Sequence, residues 1–207
     1  TDAAGSFERA TVVEKNNFEA TKNVAYECAK ASASLIHLSS TSVYGTQASQ
    51  VDEDCSLDEL KPQSPYAETK LKEEQWLKDH KYKLGLKHIS LRFGTIAGIS
   101  PGMRFHTAVN KFSWQASMFL PITVWETALH QKRPYLDLQD ACSVVEFIIT
   151  KNIFDGSVYN VLTANHTVNE IITIIKQTYN DLRIELVQSP IMNQLSYEVL
   201  DYKIKNK

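Results

Sequence analysis

The sequence predicts an α/β fold, a parallel sheet covered by helices, on three observations. Short apolar runs of strand character alternate with segments of helical period. The helical segments open on capping residues, and glycine or proline punctuates the joins. The run Leu35-Ile36-His37-Leu38 suits a strand buried on both faces, the usual state in a parallel sheet.

In chain order, Asn16-Asn17-Phe18-Glu19 has the spacing of a capping box, and Val24, Ala25, Cys28 and Ala29 continue at helical spacing. A helix is therefore predicted over 16–31. The strand at 35–38 follows and ends in Ser39-Ser40-Thr41-Ser42. Residues 45–63 are polar, acidic and without period, as in a surface loop. Ser64-Pro65 marks a helix start, with a hydroxyl N-cap and proline in the first turn. That helix should run to Tyr82, before Gly85. His88–Phe93 alternates Ile89, Leu91 and Phe93 and predicts the next strand, after which Gly94, Gly98, Pro101 and Gly102 break the chain. A helix over 107–118, strands at 122–125 and 135–138, an apolar helix over 141–149 and a strand at 158–162 follow. Thr167 and Glu170 form a second capping box, opening a helix over 168–179.

The 207 residues suffice for one domain or one and a half, and 43% hydrophobic with 22% charged residues is ordinary for a globular chain. A net charge of −2, with lysine and arginine dispersed, gives no electrostatic case for nucleic acid. Lys203, Lys205 and Lys207 read as a frayed end. No apolar run approaches bilayer length, and the opening residues do not read as a signal peptide, so no membrane role is expected. Cys28, Cys55 and Cys142 are isolated, and the six histidines lie at no ligand spacing. No metal is expected, and a reducing cytoplasm is. The chain opens Thr1-Asp2-Ala3 and closes on a lysine-rich stub, which reads as a piece of a longer protein.

Tyr66-x-x-x-Lys70 is the chemical candidate, but Tyr26-x-x-x-Lys30 has the same spacing. Each pair shares a helix face. Context separates them. Tyr66 falls in the first turn of the Ser-Pro-capped helix, whose free N–H groups favour negative charge. It also follows, across one loop, a strand ending in hydroxyls, and ligands of parallel sheets gather at strand ends. Tyr26 is mid-helix and reads as packing. His37 reads as a packed strand residue, and Trp114 and Trp125 as core or rim.

Ser39-Ser40-Thr41-Ser42-Val43-Tyr44-Gly45 followed by Ser64-Pro65-Tyr66-Ala67-Glu68-Thr69-Lys70 closely resembles the extended short-chain dehydrogenase/reductases, the NAD-dependent epimerases and dehydratases of nucleotide sugars. The resemblance continues through Asn17-Phe18-Glu19-Ala20-Thr21, where Ala20 replaces a family glycine, through Leu91-Arg92-Phe93, and through Arg133–Asp140. It implies an incomplete Rossmann-type parallel sheet with a small, interleaved C-terminal substrate-binding region. Residues 1–98 would be the C-terminal part of an NAD-binding domain. Residues 99–207 would mostly bind substrate, with 141–163 returning to the sheet.

The resemblance also implies roles. Tyr66 is the acid/base, Lys70 holds the nicotinamide ribose and lowers the tyrosine pKa, and Ser40 hydrogen-bonds the reacting hydroxyl. Ser39 and Phe93 join Tyr66 and Lys70 around NAD, while Arg133 and Asn110 meet the nucleotide sugar. Without the resemblance, Arg133 reads as a solvated surface arginine. Moving a tyrosine from near 10 to neutrality takes about 3 pH units, roughly 4 kcal/mol. An ammonium and a cationic nicotinamide have the right sign for this. A homodimer is expected through the helices at 16–31 and 65–82, with Ala25, Ala29, Trp76 and Leu77 as candidate contacts.

The family's opening G-x-x-G-x-x-G turn has no counterpart here, and Thr1 aligns after the family's fourth strand. About 60 residues, at roughly 30 per βαβ unit, are therefore expected to be missing, including those that select NAD or NADP. Thr95 replaces a frequent asparagine, and the segment from Glu126 lacks the usual glycines. Dehydratases and decarboxylases of the family place an acidic residue just after the position of Ser40. Thr41 and Ser42 stand there instead, and neither can serve as a carbon acid/base. The resemblance thus favours epimerisation through a transient 4-keto sugar, with a simple NAD(P)-dependent dehydrogenase or reductase second. A non-catalytic cofactor sensor comes third, and the intact Ser40, Tyr66 and Lys70 argue against it. The 207 residues alone are expected to bind NAD weakly and not to epimerise.

Overall fold

The computed structural model describes residues 9–47, 50–188 and 196–207. Along them run α1 (Ala10–Lys30), β1 (Leu35–Ser40), β2 (Gln50–Val51), α2 (Pro65–Leu84), β3 (His88–Phe93), β4 (Thr95–Ala97) and α3 (Ala108–Ser117). There follow β5 (Ile122–Trp125), β6 (Lys132–Asp137), α4 (Leu138–Lys151), β7 (Val158–Val161), β8 (Ala164–Thr167), α5 (Val168–Lys176), β9 (Ile184–Val187), β10 (Glu198–Val199) and α6 (Tyr202–Lys205). No helix among the described residues is long and apolar enough to cross a membrane.

β1, β3 and β7 form a parallel sheet in the order β1-β3-β7. Its central strand, β3, is buried at every position, yet its sequence alternates apolar and polar residues. Ile89, Leu91 and Phe93 pack with Leu136, Ala141, Ile148 and Tyr159 in the core beneath α4. Ser90 and Arg92, of opposite parity, bond to His37 and Glu74 on the α2 side. The alternation therefore distinguishes an apolar layer from a polar one, not core from solvent.

Arg92 holds α2 to this polar layer. Its Nε lies 3.0 and 3.2 Å from the two Glu74 carboxylate oxygens, and a terminal nitrogen lies 2.7 Å from Oε2. Arg92 and Glu74 are 4% and 3% exposed, so neither charge has water to fall back on. The guanidinium also sits 4.9 Å from the centre of the Tyr44 ring, and the Tyr44 hydroxyl donates toward Asn160 Oδ1 on β7 at 2.9 Å. The chain of contacts thus ties α2, β3, the turn after β1, and β7 together.

The second half builds its own core from α3, β5, β6 and α5, around Phe112, Ile122, Val124, Tyr135 and Ile172. There β4, β6 and β8 form a mixed sheet, and β5 pairs with β9. β2 pairs with β10, so Gln50 and Val51 of the first half meet Glu198 and Val199 near the other end of the chain.

Local signals fix several boundaries. Ser64 Oγ accepts the Ala67 N–H at 3.2 Å, Pro65 opens α2, and Gly85 ends it in the left-handed region at φ 62°. The reciprocal Thr167–Glu170 capping box opens α5. Other expectations are corrected. α1 begins at Ala10, so Asn16 and Glu19 lie inside a helix and cap nothing. β2 and a 3-10 turn over Leu57–Glu59 interrupt the segment read as loop. β4, β8, β9, β10 and α6 carry no local signature and are formed by pairing or packing with distant chain. Gly94 and Gly98 flank β4 where it runs beside β6; a Cβ at Gly94 would lie 3.0 Å from the Pro134 carbonyl oxygen.

The expected dimer contacts are also revised. Ala25 and Leu77 are fully buried within the chain, in the seam between α1 and α2. Trp76 stacks on His80 and meets Tyr26 in a T-shaped pair. The apolar stripes of these helices face each other, leaving Ala25 and Leu77 unavailable to a second subunit.

Replacing Arg92 by methionine should destabilise the protein by about 3–5 kcal/mol, because Glu74 is left charged, buried and unpaired. Urea unfolding should also show that adding Glu74→Leu to Arg92→Met recovers much of the loss, since the lone charge is then removed.

Candidate active site

The site begins where β1 ends. Ser40 caps the 3-10 turn Thr41–Tyr44, its Oγ accepting the Ser42 N–H at 3.2 Å and the Ser42 hydroxyl at 2.9 Å. The turn closes on Gly45 at φ 67°, where a Cβ would fall 1.8 Å from the Lys61 carbonyl oxygen. Only glycine meets both demands, and the turn sends the chain outward before it returns as α2.

α2 then brings Tyr66 back to the strand end, where the Ser40 side chain acts on its hydroxyl. Lys70 follows one helical turn later, with Nζ 5.9 Å from the Tyr66 ring centre. Ser40, Tyr66 and Lys70 therefore converge at the C-terminal edge of the parallel sheet, on elements fixed by caps and buried ion pairs. Tyr26 and Lys30 do not form a comparable site. Tyr26 packs against Trp76, and Lys30 pairs with Glu27 at 2.6 Å on the surface.

The electrostatics differ from what the spacing of Tyr66 and Lys70 alone implies. Burial raises the Tyr66 pKa above the ordinary phenol range, and the Glu73 carboxylate raises it further, while Arg104 and the Ser40 hydrogen bond oppose them. The Lys70 ammonium is itself paired with Glu73, 2.9 Å away. At rest, Tyr66 is a protonated phenol.

The other expected site residues fall in several places. Ser39 donates to Glu74 Oε1 at 2.5 Å and is buried, which commits it to the polar core. Phe93 ends β3 directly opposite Ser40. It lines an apolar cavity of about 540 Å³ with Leu38, Ile96, Leu138, Ala141 and Val145. Asn110 is buried, its Oδ1 accepting the Gly98 N–H at 3.1 Å and its Nδ2 donating to the Arg104 carbonyl at 3.2 Å. It holds the loop that carries Arg104. Arg133 lies on β6 and donates to Gln131 Oε1 at 3.1 Å.

Sequence reading missed Glu73, His37 as its partner, and Arg104. Glu73 had a signal: it lies on the helical face of Tyr66 and Lys70, three residues beyond the latter. Arg104 had none, since its charge acts on Tyr66 from a loop whose backbone Asn110 holds.

Comparisons with known proteins agree with this architecture. The family model for the NAD dependent epimerase/dehydratase family matches residues 2–161. An uncharacterised UDP-glucose epimerase of Bacillus subtilis is 27% identical over 165 residues, covering 78% of this chain and 50% of that protein. The chain thus spans about half the length of this curated relative. Among solved structures, a dTDP-glucose 4,6-dehydratase from Streptomyces venezuelae, with NAD bound, superposes with a TM-score of 0.83 at 19% identity. All of this chain and 64% of that one are covered. The UDP-glucuronic acid 4-epimerase of Bacillus cereus, with UDP-glucuronic acid and NAD, gives 0.79 at 23% identity, covering 92% and 60%. The UDP-glucose 4-epimerase of Thermus thermophilus, with NAD, gives 0.76 at 21%, covering 90% and 61%. These likenesses establish a Rossmann-like α/β fold. By the extent of the family match, the chain belongs to the NAD-dependent epimerase/dehydratase family.

Proposed function

We propose that this chain carries the acid/base part of a nucleotide-sugar 4-epimerase that works with NAD. The observation that supports it most is the Ser40–Tyr66 hydroxyl pair, with Lys70 on the next helical turn, at the end of a parallel strand. The donor set suits the nicotinamide end of the dinucleotide: Lys70 and Tyr66 offer N–H and O–H donors to a ribose, and Phe93 with Leu38 offers an apolar wall. No glycine-rich turn leading into a helix occurs among the described residues, so no diphosphate contact is assigned.

NAD, when bound, supplies a hydride acceptor. The chain's own residues handle the proton. Ser40 orients the sugar hydroxyl and Tyr66 exchanges a proton with it. As a protonated phenol, Tyr66 is set for the half-reaction that protonates a ketone oxygen. A positive charge brought beside it draws it toward phenolate for the other half. Arg104 already acts in that direction.

Epimerisation is preferred over dehydration because the turn after Ser40 offers no free acid or base. Thr41 is held by the Phe93 carbonyl and the Tyr197 hydroxyl, each at 3.3 Å, and Ser42 is bonded to Ser40. The carboxylate whose field reaches Tyr66 is Glu73, and it is fully buried and ion-paired. The Bacillus subtilis relative's description as a UDP-glucose epimerase points the same way. The three free cysteines fit a reducing, cytoplasmic setting. The homodimer of this reading would use surfaces other than the Ala25–Leu77 seam, which is buried within the chain.

In the complete protein, Tyr66→Phe should lower turnover about 10²–10⁴-fold with little change in substrate binding. Interconversion of UDP-glucose or UDP-glucuronic acid with its 4-epimer, followed by proton NMR, measures this; activity within a few-fold of wild type would remove Tyr66 from the chemistry. A calorimetric titration of the 207 residues should show NAD binding weaker than about micromolar, since even two or three missing charge-assisted hydrogen bonds weaken affinity by orders of magnitude. Micromolar binding would mean that the cofactor is held elsewhere.

A further inference from the structure

Behind Tyr66 and Lys70 lies a carboxylate that the proton transfer itself does not use. Tyr66, Lys70, Glu73 and Leu77 follow one another along a single stripe of α2, spaced by four, three and four residues. Glu73 and Leu77 are both 0% exposed. A charge at a position where a helix packs on a sheet is costly unless cations and hydrogen bonds surround it.

Two groups do so. Lys70 Nζ lies 2.9 Å from Glu73 Oε2, and His37 Nε2 lies 2.8 Å from the same oxygen. His37, on β1, is 6% exposed, and its Nδ1 stands 3.1 Å from Ser90 Oγ on β3. An ionised carboxylate only accepts, so Nε2 carries the hydrogen, and Nδ1 is left to exchange a hydrogen bond with the Ser90 hydroxyl. The result is a relay of contacts, Ser90–His37–Glu73–Lys70, running from the sheet interior to the site. Glu73 Oε1 has no partner, which concentrates the pairing on the oxygen that faces Lys70 and His37.

We propose that Glu73, gripped by His37, is a positioning residue: it docks the Lys70 ammonium one turn from Tyr66 and sets the charge balance at the Tyr66 hydroxyl. Two facts support it beside the geometry. Burial pushes the Glu73 pKa up, but the His37 hydrogen bond and Lys70 outweigh it and hold the carboxyl below its usual range, hence ionised. The same carboxylate is, after burial, the second influence raising Tyr66. The charged and titratable groups facing this cluster are Lys70 from α2 and His37 from β1, while the exposed Arg104, on the loop before α3, acts through its charge on Tyr66. His88 from β3 acts at longer range, and burial first, then Lys81 and His37, lower its pKa.

The sign follows. Neutralising Glu73 removes a negative charge near Tyr66 and leaves the Lys70 charge unmatched, and both changes favour phenolate. The proposal rests on the functional reading only in taking Tyr66 as the reacting hydroxyl. Its test needs neither cofactor nor substrate. Tyrosine carrying ¹³C at Cζ is incorporated into the full chain, and the Tyr66 resonance is identified by its loss in Tyr66→Phe. In Glu73→Gln the Tyr66 titration should move down by about one pH unit, whereas Glu73→Asp, which keeps the charge, should stay within about 0.3 unit of wild type. A folded Glu73→Gln protein with an unmoved Tyr66, or equal shifts in both variants, would overturn the proposal, since a packing role alone predicts those results. Should Glu73→Gln not fold, the wild-type ring nitrogens of His37 decide: ¹⁵N shifts showing Nε2–H support it, and the Nδ1–H tautomer overturns it. Turnover retained in Tyr66→Phe would defeat the epimerase reading without touching this titration.

Discussion

Two consecutive carboxylates of α2, Glu73 and Glu74, are forced into the seam between that helix and the sheet, and their neutralisation governs how the helix lies. Apolar burial draws α2 onto the sheet but has no preferred direction. A bidentate guanidinium does. Arg92 grips Glu74 from the central strand, Lys70 and His37 share Glu73, and α2 can satisfy both only in one rotation. That rotation carries Tyr66 to Ser40. Buried ion pairs are a weak source of net stability and a stronger source of registry, and here the registry is what the site uses.

The polar layer also shapes the chemistry. A tyrosine beside a lysine suggests a lowered phenol pKa, but burial, and after it the Glu73 carboxylate, raise it instead. The charge balance around the Tyr66 hydroxyl involves Ser40, Lys70, Glu73 and Arg104, so with Tyr66 itself five groups on three separate segments meet there. Asn110 acts at one remove. Its amide is spent on the Gly98 and Arg104 backbones, so it shapes the loop that delivers the arginine.

What was legible in the sequence was what closes locally. Ser64-Pro65, Gly85, and Thr167 with Glu170 each act within about one helical turn, and each appears where expected. The convergence of Ser40, Tyr66 and Lys70 was legible because it needs only a strand end and the helix that follows. The failures share one cause, which is that the deciding partner is distant in sequence. β2 exists because β10 lies beside it, almost 150 positions away. The Asn16–Glu19 pattern resembled a helix start because the same spacing is harmless inside a helix. Ser39 looked like a cofactor contact until Glu74 claimed it. His37 was read as packing, which its burial bears out, but its hydrogen bond to Glu73 depends on a helix 36 residues later.

Among the described residues β1 has a strand neighbour on one side only, since the order is β1-β3-β7. The Leu35 N–H points inward, to the Lys87 carbonyl at 2.9 Å, and alternation along a strand then turns His37 and Ser39 inward and Ile36, Leu38 and Ser40 outward. Backbone amides of one strand therefore divide into two populations when transferred to deuterated water. Every second amide exchanges quickly and its neighbours slowly, until another polypeptide segment lies along that edge and the difference disappears.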